Sequence, residues 1–152
     1  MIEEEIRVLA VRQPYAYSMV SGLKTVEVRS RPTKIRERVA IYASTTHPSQ
    51  KEFIEVRQNL ALTFLDNPKY DPTEELHTGK IIGSVEIVGC RKPENGFEYA
   101  LYTDEHFAPI KYYKEDKTYF WDLRRPIKFE APIPFEWPST GAWAKTVLPE
   151  GY

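Results

Sequence analysis

The chain has 152 residues, with 21 Lys and Arg against 22 Asp and Glu and a formal net charge of −1. Hydrophobic residues make up 41% and charged residues 28%, which excludes a disordered polar chain and a multi-span membrane protein. The near-neutral balance excludes a globally cationic, histone-like binder, and the length fits a single domain over residues 1–152.

Ile6 to Val11 is apolar on both alternating faces and reads as a buried strand. Gln13-Pro14 opens a short helix with Tyr15, Met19 and Val20 inward, and Gly22 stands where a left-handed helix end favours glycine. Thr25 to Arg29 alternates, Val26 and Val28 on one side and Thr25, Glu27 and Arg29 on the other. Val39, Ile41 and Ala43 mark a further strand. Ser49 to Glu52 reads as a capping box, and Phe53, Val56, Leu60, Ala61 and Phe64 follow at helical spacing. Leu65 to Gly79 is polar and acidic, a surface loop.

Ile81 to Cys90 reads as a strand with Ile81, Val85 and Ile87 inward and Ser84 and Glu86 outward, while Gly83 and Gly89 suggest bulges or tight curvature. Asn95-Gly96 is a turn signal. Tyr119 to Leu123 forms a strand that stops at Pro126 and resumes at Ile127, and a last strand lies near Trp143. The expected fold is α+β: a small curved barrel of five to six mostly antiparallel strands with two inserted helices.

Between Arg12 and Arg38 seven basic residues face two acidic ones, so a local anion site is compatible with the neutral whole. Cys90 is the single cysteine and reads as a buried thiol; His47, His77 and His106 fall at no ligand spacing, so no metal and no cofactor are expected. Trp121, Trp137 and Trp143 read as packing residues. No apolar run reaches the ~18 residues of a membrane span, and the amino end is acidic rather than signal-like. The expectation is a cytoplasmic protein with no membrane partner.

Arg12-Gln13-Pro14-Tyr15-Ala16, followed by Gly22-Leu23-Lys24-Thr25-Val26-Glu27-Val28-Arg29-Ser30, resembles the opening of the ASCH family, a branch of the PUA-like β-barrels named after the activating signal cointegrator homology domain. Thr33, the strand ending Ala43-Ser44, Gly79 to Glu86, Phe120 to Leu123, Pro132 to Pro134 and Gly141 to Trp143 continue the resemblance in order, from about residue 9 to 145. It implies a PUA-like barrel with a cleft beside the first helix that takes RNA or a nucleotide-like ligand. The cleft residues it implies are Gln13, Tyr15, Lys24, Glu27 and Arg29, with Thr33 and Ser44 as neighbours.

The chemistry of these side chains suits such a ligand. Lys24 and Arg29 match phosphate, and Glu27 accepts from a base amine. Gln13 can read a base edge, and Tyr15 can stack on it. The plainer alternative is that Glu27 and Arg29, about 7 Å apart along one strand face, only neutralise each other at the surface.

Some relatives in the resembled family hydrolyse the amide of N4-acetylcytidine with a Lys, a Thr three positions later and a Glu from another segment. Here Lys24 is followed at that distance by Glu27 rather than threonine, and Glu74, Glu75 and Glu86 are the regional candidates for the third member. The layout therefore places a binding module first and an amidohydrolase on N4-acetylcytidine-like nucleosides second, with Lys24 catalytic in that case. A ribonuclease comes next, and a protein-interaction module is the remaining class.

Overall fold

The computed structural model describes residues 4–138 and 141–152. Six strands form one sheet: β1 (Ile6–Val11), β2 (Val26–Arg29), β3 (Arg38–Ala43), β4 (Lys80–Arg91), β5 (Tyr119–Pro134) and β6 (Trp143–Thr146). Their order is β2-β5-β4-β3-β1-β6; only β1 and β3 run parallel. The helices are α1 (Tyr15–Val20), α2 (Gln50–Thr63), α3 (Gly96–Leu101) and α4 (Thr103–His106). The expected α+β fold of mostly antiparallel strands stands, with α3 and α4 as two short helices beyond those expected. No helix among the described residues is long and apolar enough to cross a membrane.

All six residues of α1 are buried, because the curled sheet wraps around it. Met19 and Val20 join Leu9, Ile41, Val85 and Leu123 in the main core. The closest approach is at Gly83, where a Cβ would stand 2.2 Å from the Ile127 carbonyl oxygen and 2.7 Å from Val20 Cβ. Only glycine lets the helix and β5 come this near to β4.

The sheet curls through register shifts. β5 fits an extra residue between Arg124 and Ile127, where Arg125 takes φ 51°, and so runs unbroken past Pro126 instead of stopping there. β4 carries an extra residue at Ile82 against β3, which reverses its inward face. Ile81 therefore packs with Tyr42 and Phe129 on the second face, while Ile82, Val85 and Ile87 enter the main core. Ser84 keeps the face opposite Val85, beside Ala40, but is buried there, accepting from Arg38 Nη1 at 2.9 Å.

Three other expectations are corrected. Asn95-Gly96 is no turn: the Asn95 side chain accepts from the Glu98 N–H at 2.8 Å and caps α3. The segment before β4 contains a 3₁₀ turn, Pro72–Leu76, capped by Asp71. Cys90 is half-buried rather than enclosed.

The two ends of the sheet approach one another. Arg29 Nη2 on β2 donates to the Ala10 carbonyl on β1 at 3.0 Å, and Trp121 on β5 stacks on Trp143 of β6 with centroids 6.0 Å apart. No ladder joins β1 to β2 among the described pairings, so side chains fill the seam.

Candidate functional site

A cavity of about 280 Å³ occupies this seam. The end of β1 supplies Arg12, α1 supplies Tyr15, the turn after α1 supplies Lys24, and β2 supplies Glu27 and Arg29. Tyr112 closes one side from a 3₁₀ turn, Ile110–Tyr112.

Lys24 is 1% exposed, which is costly for an ammonium unless it is paired. Its Nζ donates to the His106 carbonyl and lies 3.3 Å from Glu27 Oε1. Desolvation pulls its pKa below the ordinary lysine value, helped by Arg29, and Glu27 offsets part of that. Its acceptor is well fixed. His106 is fully buried, its Nδ1 accepts from the Ala108 N–H at 2.9 Å, and its Nε2 sits 2.8 Å from the Tyr99 carbonyl. An accepting Nδ1 requires a neutral ring with the proton on Nε2. Burial accordingly lowers the pKa of His106 to about 4.

Glu27 organises the cations. Its Oε1 accepts from Val28 N–H at 3.1 Å and faces Lys24; its Oε2 takes Arg29 Nε at 2.9 Å and Nη2 at 2.8 Å. A carboxylate has about four lone-pair positions, and the protein itself occupies all of them. Desolvation would raise its pKa, but Arg29 and Lys24 together overcome that and hold it below the usual glutamate value. Glu27 is thus a clamp on two cations, with no acceptor left for a base amine in this arrangement.

A second carboxylate lies deeper. Glu52 Oε2 accepts from the Tyr15 hydroxyl at 2.7 Å, and Oε1 accepts from the Tyr112 hydroxyl and from Lys111 Nζ, each at 2.7 Å. Burial of Glu52 opposes ionisation, but these three donors outweigh it and lower its pKa. Ser49 does cap α2, accepting from Glu52 N–H at 3.2 Å, but the Glu52 carboxylate turns to the tyrosines instead of completing a capping box.

Arg12 is the least committed group. It is half-buried and donates from Nη2 to the Tyr112 hydroxyl at 2.8 Å; among the described residues its side chain has no carboxylate partner and no other hydrogen bond. Arg29 Nη1 likewise has no partner among the described residues. The spare capacity of the charged side chains in the wall is donor capacity, which suits ligands rich in acceptors or negative charge.

Of the residues expected at the cleft, Tyr15, Lys24, Glu27 and Arg29 meet here. Gln13 does not. It is fully buried, its Nε2 donates to the carbonyls of Glu74 and His77 at 3.4 and 2.9 Å, and its Oε1 accepts from Tyr17 N–H at 2.9 Å. Thr33 caps its own loop by accepting from Ile35 N–H, and Ser44 lines a neighbouring cavity. Glu74, Glu75 and Glu86 lie elsewhere, paired with Lys128, Arg57 and Arg125 respectively. Sequence reading passed over Arg12, Glu52 and Tyr112. Arg12 had a signal, its place at the head of the Gln-Pro segment.

The sequence model of the ASCH domain matches residues 9–133. No curated protein matches the chain. Among solved structures, the crystal structure of ASCH from Zymomonas mobilis superposes with a TM-score of 0.56 at 19% identity, covering 95% of this chain and 87% of that one. A serine-to-alanine and a tyrosine-to-phenylalanine variant of that protein each superpose at 0.55, also at 19% identity and 95% of this chain, covering 88% and 90% of theirs. At that identity the likeness concerns the fold.

Proposed function

The chain belongs to the ASCH domain family, and on that premise we propose that the seam cavity binds RNA or a nucleotide-like ligand, one nucleotide at a time. The observation that carries the reading is the convergence of Arg12, Lys24 and Arg29 on one concave space whose carboxylate, Glu27, is already satisfied internally. About 280 Å³ lies near the lower end of small-ligand sites, a fit for a single nucleotide unit rather than a duplex. Arg12 and Arg29 meet phosphate or base carbonyl oxygens, while Glu27 and Glu52 hold the cations and tyrosines in place.

The test is the salt dependence of single-stranded RNA binding. Two phosphate contacts give a log–log slope of about −1.4, and Arg12→Ala brings it to about −0.7. An unchanged slope in Arg12→Ala and in Arg29→Ala removes both from a phosphate role.

One observation favours an amidohydrolase as the second reading: a cavity-lining lysine held below its ordinary pKa is neutral, and so available as a base, in a larger fraction of molecules near neutral pH than a free one. Against it, the position three after Lys24 is a fully engaged carboxylate, and no hydroxyl nucleophile stands beside a base in that place. Incubation with N4-acetylcytidine decides it. Cytidine release no greater than that of Lys24→Ala sets the reading aside.

A further inference from the structure

On the other side of Arg12 lies a second cavity, of about 450 Å³. Ala10 and Arg12 line both, so the two open from the same end of β1. The walls differ in kind. None of the second cavity's described lining residues is acidic; besides Arg12, its polar side chains are Tyr42, Ser44, Thr45 and Thr46, and Trp137 provides an aromatic wall.

Trp137 is half-buried, and its plane is fixed. One face stacks on Tyr42, with centroids 4.8 Å apart and planes 28° from parallel, and the indole N–H donates to the Gly141 carbonyl at 3.0 Å. A ring held by a stacked neighbour and an indole N–H bond is what a stacking platform needs, because little rotamer freedom is lost when a second ring settles on it. Between the platform and the first cavity stands the Arg12 guanidinium, half out of water and without a carboxylate partner among the described residues. A cation between two concave sites, one donor-rich and one aromatic with hydroxyls, matches the alternation of base, sugar and phosphate along a single strand.

We propose that the second cavity is a subsite for the adjoining nucleotide, its base stacked on Trp137, its sugar beside the Ser44 and Thr46 hydroxyls, and the connecting phosphate on Arg12. This rests on the nucleotide reading of the first cavity and extends it from a single nucleotide to a dinucleotide step.

The experiment compares uridine 5′-monophosphate with a uridine dinucleotide, and with the same dinucleotide lacking its second base, by calorimetry at fixed salt. The full dinucleotide binds roughly 5- to 150-fold more tightly than the mononucleotide, the gain expected of one stacked base, and the abasic dinucleotide loses most of that gain. Trp137→Ala erases the gain and leaves the mononucleotide dissociation constant unchanged, which also reports that the variant is folded; Trp137→Phe retains most of the gain. Equal affinity for the dinucleotide and its abasic form overturns the subsite, as does a Trp137→Ala effect equal on both ligands. Binding of the mononucleotide without any gain sinks the subsite alone, whereas no binding of either ligand to the wild type sinks the nucleotide reading and the subsite together.

Discussion

Acidification from pH 7 to pH 4.5 should destabilise this protein chiefly through His106. In the unfolded chain its pKa is the ordinary 6.5; in the folded protein desolvation, with a contribution from Lys24, sets it at about 4. Between those values the unfolded state holds more protons, so stability rises with pH across the window and is lost on acidification. A gap of that size corresponds to about 3 kcal/mol, with a slope approaching 1.4 kcal/mol per pH step in mid-window. Glu75 works in the opposite direction. Burial raises its pKa despite Arg57, so it takes up a proton earlier in the folded state and trims the loss near the acid end. Glu27 and Glu52, both below the usual glutamate value, add their share only below about pH 4.5. Urea denaturation at half-unit pH intervals measures the curve, and His106→Gln, which cannot titrate, should flatten it between pH 6.5 and 4.5. A flat wild-type curve, or a variant that keeps the wild-type slope, refutes a buried neutral histidine. The site is involved as well, since the His106 carbonyl is the acceptor for Lys24.

Glu27→Gln should cost about 3–5 kcal/mol at pH 7, because it leaves the Lys24 ammonium buried with one neutral acceptor. The cost should shrink in alkaline buffer as Lys24 loses its proton, which denaturation at pH 7 and pH 10 would read; an equal cost at both would show that the pair is not what was lost. Gly83→Ala places a methyl within 2.2 Å of the Ile127 carbonyl oxygen, and a loss of about 3 kcal/mol or more is expected in the same assay. A change under about 0.5 kcal/mol would mean that α1 does not press on β4 as described.

What was legible in the sequence was what neighbours along the chain determine. The alternation of Thr25 to Arg29 set Glu27 and Arg29 on the face that meets the cavity, and Gly83 and Gly89 marked where the register of β4 shifts. Local signals misled where a distant partner had the stronger claim. Ser49 and Glu52 had the spacing of a reciprocal cap, but two tyrosine hydroxyls and Lys111 compete for the Glu52 carboxylate. Asn95-Gly96 fits a hairpin turn until Asn95 finds the Glu98 N–H and starts a helix. Tyr112 reaches the cavity from 100 residues beyond Arg12, a contact no periodicity encodes. Gln13 was the subtler error: a side chain able to both donate and accept looked suited to a base, and the fold used that versatility on its own backbone.

That single amide has an evolutionary corollary. The excursion joining α2 to β4 is tethered just ahead of α1 at two carbonyls, those of Glu74 and His77, and both tethers end on Gln13. Related chains are free to lengthen, shorten or rewrite the surface part of that excursion, provided it still returns two oxygens to one glutamine. Loss of the glutamine would instead orphan the His77 carbonyl and the Tyr17 N–H together, so drift in the excursion and constancy at its anchor are to be expected together.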